Sequence, residues 1–269
     1  MVRVIAIVTL TLTSLSAPTA AEGEGAIFAR AHELHALETP ADLGPDAGLV
    51  LIGDSVAGNV AAAMAPEAAR RGAPFVQSTR AGCSPMGGLV VRANGKLVGS
   101  ALACEAARPV WLASVAATAA DAVLWLSTYD PADRLVNGEL VAPGTAEGRR
   151  RTAELILAAA DVVAPPGSGR RVVFLLPTPT VPDSDPAAPP IVASIIDVQR
   201  HRAILHLVVR ADPERFSILN LERFLCPAGP PCPLEPAPGI RPRDPLNGHI
   251  TAAGAVWLAP QIFDSLDVT

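Results

Sequence analysis

The sequence predicts a single doubly wound α/β domain, a parallel five-stranded sheet with helices on both faces. Five apolar runs of strand length recur along the chain between turn signals. Each is followed by a helix-like stretch, the alternation that builds a parallel sheet covered on both sides. No boundary leaves two separate cores, and no internal repeat is visible.

The runs are residues 48–52 (GLVLI), 74–78 (PFVQS), 121–126 (DAVLWL), 171–176 (RVVFLL) and 216–221 (FSILNL). Several are rich in Val and Ile, as buried parallel strands are. The helix-like stretches are 58–71, 108–119, 147–163, 192–211 and 251–266. Sheets of this kind place ligands outside the carboxyl ends of their strands, so the loops after each run are the ones to read. Two are unusually Pro-rich: 178–190 (TPTVPDSDPAAPP), and the long connection 226–248 between the fifth strand and the last helix.

Composition narrows the partners. The 269 residues are 50% hydrophobic and 17% charged, enough apolar material for a real core, and disorder is not expected. Net charge is −5 and Lys96 is the only lysine among 21 dispersed basic residues, so no nucleic-acid footprint is present. At the start, Arg3 precedes an apolar run from Val4 to about Leu15 and small residues ending at Ala20 and Ala21. This is signal-peptide grammar, with an uncleaved anchor as the alternative, although the run is short of the ~20 residues a span needs. The expected layout is a signal peptide over 1–21, an N-terminal extension over 22–47 and one domain over 48–269, secreted or held outside the cytoplasm.

Four cysteines, Cys83, Cys104, Cys226 and Cys232, fit an oxidising compartment. They allow three connectivities, of which the two sequence-near pairs, Cys83 with Cys104 and Cys226 with Cys232, are favoured. Zinc is the alternative, but CxxC spacing and a nearby His are both lacking.

The first strand runs into Gly53-Asp54-Ser55. A serine on such a strand-to-helix turn presents its hydroxyl at the sheet's carboxyl edge, beside helix N–H groups able to stabilise an oxyanion. The plainer reading is that Asp54 or Ser55 caps the helix. Near the carboxyl end, Arg241-Pro242-Arg243-Asp244-Pro245-Leu246-Asn247-Gly248-His249 leads into the last helix. A neutral imidazole accepts a serine proton and a carboxylate holds its tautomer. Ser55, Asp244 and His249 thus suggest nucleophile, orienter and base.

In these blocks the chain resembles the SGNH, or GDSL, hydrolase superfamily, from about Leu49 to Pro260. The resemblance implies a flavodoxin-like fold, Ser55 as nucleophile, His249 as general base, and a backbone N–H from Gly82, in Thr79-Arg80-Ala81-Gly82-Cys83-Ser84-Pro85, at the oxyanion hole. Two departures stand out. The family's Gly-x-Asn-Asp block reads Ser127-Thr128-Tyr129-Asp130 here, putting Tyr129 at the oxyanion Asn place, as donor or pocket wall. The family's acid lies three residues before the histidine, where this chain has Leu246. Asp244, five before, is the expected acid if the loop bulges at Pro245 and Gly248, with Asn247 as a weaker alternative.

The Gly82–Pro85 turn, Cys104, Leu225-Cys226-Pro227 before Arg241-Pro242, and residues 129–134 with Gly138 are most similar to the extracytoplasmic SGNH domains found with bacterial membrane acyltransferases. The resemblance implies an exported serine esterase or O-acyltransferase acting on an acylated glycan or small ester, with a membrane acyltransferase as a partner and no cofactor. The competing reading is a catalytically weak glycan-binding module with a degenerate site. His32, His35, His201 and His206 complete no metal-ligand set, Arg149–Arg151 reads as a solvated first turn ahead of the alternative of contact with an anionic glycan, and phosphate-binding, HExxH and GxSxG motifs are absent.

Overall fold

The computed structural model describes residues 37–38, 40, 42–92, 94–177, 197–227, 232–244 and 248–268. All fall in one compact unit, Leu37–Thr269. The expected leader, His32 and His35, the Pro-rich loop 178–190 and residues 245–247 lie outside the described residues.

Five strands, β1 (Leu49–Gly53), β2 (Phe75–Thr79), β4 (Ala122–Leu126), β7 (Arg171–Leu176) and β8 (Phe216–Asn220), form one parallel sheet in the order β2-β1-β4-β7-β8. This is the expected doubly wound fold, with the flavodoxin-like strand order. Because side chains alternate along a strand, each apolar run feeds two cores. Leu49 and Leu51 pack with α1 (Ser55–Arg71) and α6 (Ala252–Ser265), whereas Val50 and Ile52 pack with α2 (Ala101–Ala116), α3 (Ala146–Val163) and α4 (Val198–Ala211). A short α5 (Glu222–Leu225) follows β8.

Local chemistry sets the ends. Asp54 caps α1 by accepting the Val56 N–H at 2.8 Å, and α1 stops at Gly72, whose φ of 75° is the left-handed turn that favours glycine. Thr145, Asp197 and Thr251 cap α3, α4 and α6 in the same way.

Two features depart from the sequence reading. Helix α2 begins seven residues before the expected 108, with Pro109 in its interior. Proline removes one helical N–H, and the upstream turns are held independently by Cys104, bonded to Cys83, and by Ser100, whose Oγ donates to the Gly82 carbonyl at 2.8 Å. A second sheet, β3 (Leu89–Val90), β5 (Arg134–Val136) and β6 (Glu139–Val141), is antiparallel. Its strands of two or three residues are too short for a periodic signal. Asn137 and Gly138, both at positive φ, turn β5 into β6.

Both sequence-near disulfides are present, Cys83–Cys104 and Cys226–Cys232. The cluster Glu222, Cys226 and Cys232 has metal-like proximity, but its sulfurs are bonded to each other. Ahead of β1, Glu38 accepts hydrogen bonds from Asn220 Nδ2 at 2.9 Å and meets His206 Nε2 at 3.1 Å and Arg202 Nε at 2.8 Å. Leu43 N–H donates to Leu266 O at 3.1 Å.

Candidate active site

Register brings three loops to one level. Gly53 is paired with Thr79 of β2 and Leu126 of β4, so the turns carrying Ser55, Gly82 and Tyr129 leave the sheet side by side. Arg80 N–H donates to Gly53 O at 2.9 Å, continuing the ladder beyond the strands. Gly53 has φ 147°, and a Cβ there would lie 1.7 Å from the Leu126 carbonyl oxygen. No other residue fits between β1 and β4 at this point.

Asp54 is fully buried. Besides capping α1, its Oδ2 accepts both the N–H and the hydroxyl of Thr128, each at 2.6 Å. The capping reading was therefore right for Asp54, and the same carboxylate bolts the serine turn to the loop after β4. Burial pushes the Asp54 carboxyl up, opposed by the Thr128 and Val56 donors and reinforced by the nearby Asp130.

Ser55 opens α1, half-buried. Its Oγ lies 2.7 Å from His249 Nε2, a contact spanning 194 residues of sequence. The histidine is set by a small hairpin. Arg243 bridges Ile250, Asp244 N–H donates to His249 O at 2.9 Å, and Gly248 N–H, at φ 71°, donates to Asp244 O at 2.8 Å. Arg243 Nη1 also donates to Gly248 O at 2.9 Å. Burial pushes the Arg243 guanidinium down to about 10, against the attraction of Asp54. The Asp244 and His249 backbones are thus paired. Below the hairpin, Thr251 N–H donates to Pro242 O at 3.0 Å, and Gly254 packs so closely that a Cβ would meet Pro242 Cα at 2.5 Å.

Asn59 ties the two halves together: its Nδ2 donates to Ile250 O at 3.0 Å. Sequence reading passed over this residue, although it lies one helical turn after Ser55 on the same face. Thr128 and Ser100 were missed as well, and neither carries a spacing signal.

Gly82, at φ 72°, follows β2, and the Cys83–Cys104 bond and Ser100 hold its turn. The N–H groups of Ser55 and Gly82 find no acceptor among the described residues. Tyr129 is half-buried on the third loop. Burial and then Asp54 push its phenol up, while Arg92 pulls it down. His201 and His206 stand apart on α4.

A family model, the SGNH domain fused to AT3 domains, matches the chain over residues 29–264. The chain belongs to the SGNH domain family. Membership puts it in a class of esterases and acyltransferases. The periplasmic domain of a lipopolysaccharide acetyltransferase from Salmonella ser. Paratyphi A superposes on this SGNH domain with TM-score 0.53 at 11% identity, over 90% of this chain and 95% of that one. A carbohydrate acetylesterase from Sinorhizobium meliloti gives 0.47 at 18% identity, over 81% and 98%. No curated protein sequence matches the chain. The first of these likenesses shows the fold.

Proposed function

We propose that this SGNH domain is an exported serine esterase or O-acyltransferase acting on ester groups, O-acetyl above all, of cell-surface glycans. The observation that carries the reading is the 2.7 Å contact between Ser55 Oγ and His249 Nε2 at the N-terminus of α1. Ser55 Oγ attacks the ester carbonyl while His249 Nε2 takes its proton, forming the tetrahedral intermediate. The N–H groups of Ser55 and Gly82 receive the oxyanion, with the Tyr129 phenol as a third donor, and one such donor is worth about 3 kcal/mol of barrier. Asp244 holds the imidazole. His249 returns the proton to the leaving alkoxide, and the acyl-serine is resolved by water or by a sugar hydroxyl that His249 deprotonates in turn.

Export is supported by the leader pattern and by two disulfides. No described helix is long and apolar enough to cross a membrane. The family's AT3 fusion supports a membrane acyltransferase as the partner that delivers acyl groups. Intact-mass detection of a fluorophosphonate adduct tests the reading. The native chain should gain one adduct and Ser55→Ala none, and acetate should be released from an O-acetylated glycan. No labelling at Ser55, under conditions that label a control serine esterase, leaves the glycan-binding module as the better account.

A further inference from the structure

Behind the Tyr129 loop lies a charged cluster that the chemistry above does not use. Arg134, at the start of β5, is fully buried, and its guanidinium spans two site loops. Nη1 donates to Gly87 O at 2.6 Å, on the segment that carries Gly82. Nη2 donates to Tyr129 O at 2.7 Å and to Asp130 O at 3.2 Å. Asp130, equally buried, accepts from Ser84 Oγ at 2.7 Å on one oxygen and from Trp125 Nε1 at 2.8 Å on the other. The same two loops are therefore cross-linked twice, once through a guanidinium and once through a carboxylate.

Burial pushes the Asp130 carboxyl up, and the Ser84 hydrogen bond and the Arg134 charge oppose that shift. His201 Nε2 is 3.8 Å from Asp130 Oδ2, but burial and the adjacent Arg134 hold this imidazole down to about 3, so it is neutral at pH 7. Arg134, pushed down by burial to about 10, keeps its proton there and supplies the counter-charge. Burying two opposite charges is weak support for stability compared with an apolar filling of the same volume, and its best-attested use is to specify one geometry. A planar fork with fixed donors suits that use, and a lysine cannot replace it.

We infer that Arg134 and Asp130 are positioning residues that lock the Tyr129 loop and the Gly82 turn into the geometry required for acyl transfer at Ser55. The inference rests on the esterase or acyltransferase reading. Neither residue touches substrate. They act by fixing the carbonyl of Tyr129 and the chain that follows Gly82.

Tyr129 is the only tyrosine in the chain, so uniform 3-fluorotyrosine labelling gives a single fluorine resonance that reports on this loop alone. Arg134→Met keeps an unbranched apolar stem and removes every donor. Among protein that melts cooperatively with both disulfides intact, kcat for p-nitrophenyl acetate should fall about 100-fold with KM held within about twofold. The fluorine resonance should move toward that of the unfolded chain. A wild-type kcat overturns the inference, and so does a fall in kcat with an unmoved resonance. Should Arg134→Met fail to fold, Ser84→Ala removes one hydroxyl from Asp130 and should lower kcat about tenfold with a smaller resonance shift. No change in either overturns the inference. If the wild type itself neither hydrolyses the ester nor takes the fluorophosphonate, the proposed function fails and takes the catalytic part of the inference with it. The resonance of Arg134→Met then decides whether Arg134 holds the loop.

Discussion

Replacing Gly254 with alanine sets local propensity against tertiary packing. Gly254 is the third residue of α6, where alanine gains about 1 kcal/mol of helix stability over glycine. Its missing Cβ, however, is occupied space: a methyl group would sit 2.5 Å from Pro242 Cα and 2.7 Å from Pro242 O, both backbone. Carbon atoms pack at about 3.5–4.0 Å, so the first turn of α6 and residues 241–243 must separate by roughly 1 Å. Such overpacking costs about 1–3 kcal/mol, leaving a net destabilisation of about 0–2 kcal/mol. At about 2–4 °C per kcal/mol for a domain of this size, the melt should drop by no more than about 8 °C. Activity suffers more. Pro242 O accepts the Thr251 N–H and Arg243 bridges Ile250, so the displacement passes into the hairpin that aims His249. Stretching the 2.7 Å Ser55–His249 contact by 1 Å breaks it, and misplacement on that scale costs about 100-fold in rate. The assay is kcat/KM on p-nitrophenyl acetate beside a calorimetric melt, with Gly99→Ala as the control because nothing lies within 4 Å of its added methyl. A Gly254→Ala protein that melts above wild type and keeps its rate would refute the packing argument.

Further outcomes follow from other contacts. Gly53→Ala drives a methyl to 1.7 Å from Leu126 O, and circular dichroism with limited proteolysis should find no folded population. Asn59→Ala leaves the buried Ile250 carbonyl without its donor and should cost about 1–3 kcal/mol in a urea melt, together with a fall in fluorophosphonate labelling rate. Removing the Cys83–Cys104 bond opens a loop of sequence separation 21 and should cost about 3 kcal/mol, while peptide mapping of the native chain under non-reducing conditions should recover both sequence-near pairs and no cross-pair. Burial pushes Glu38 up, but the bond to His206, the Arg202 charge and Asn220 outweigh it and hold its pKa below the ordinary 4.5. A lowered folded pKa means its stabilisation is present above the unfolded value and is lost as pH falls through the folded one. The stability gap between wild type and Glu38→Gln should therefore be full at pH 7 and shrink below about pH 4.5; a gap constant down to pH 3 would contradict the assignment.

Much of this architecture is legible in one dimension because it depends on local composition. A strand buried on both faces must be continuously apolar, and LVLIG, AVLWL and RVVFLL announce themselves without reference to any other segment. Ser55 and His249 stand out as candidates because the serine lies where an apolar run turns into a helix and the histidine in the loop that enters the last helix, and the cysteine pairs because short loops close at the least entropic cost. The upstream turns of α2 were not visible, since what holds them, Ser100 on Gly82 and Cys104 on Cys83, comes from another part of the chain. The small sheet was hidden because two or three residues carry no period.

The alternation of apolar runs and helices, the blocks around Ser55, Gly82 and His249, and the even cysteine count sufficed for the fold class, the family and the candidate nucleophile and base. Only the folded chain decided the rest: that Asp54 joins the serine turn to Thr128, that Asn59 reaches Ile250 across 191 residues, and that one buried arginine holds two loops together. Burial patterns repeat along the chain and can be read there. A hydrogen bond between distant residues depends on register and packing, which come into being when the sheet closes.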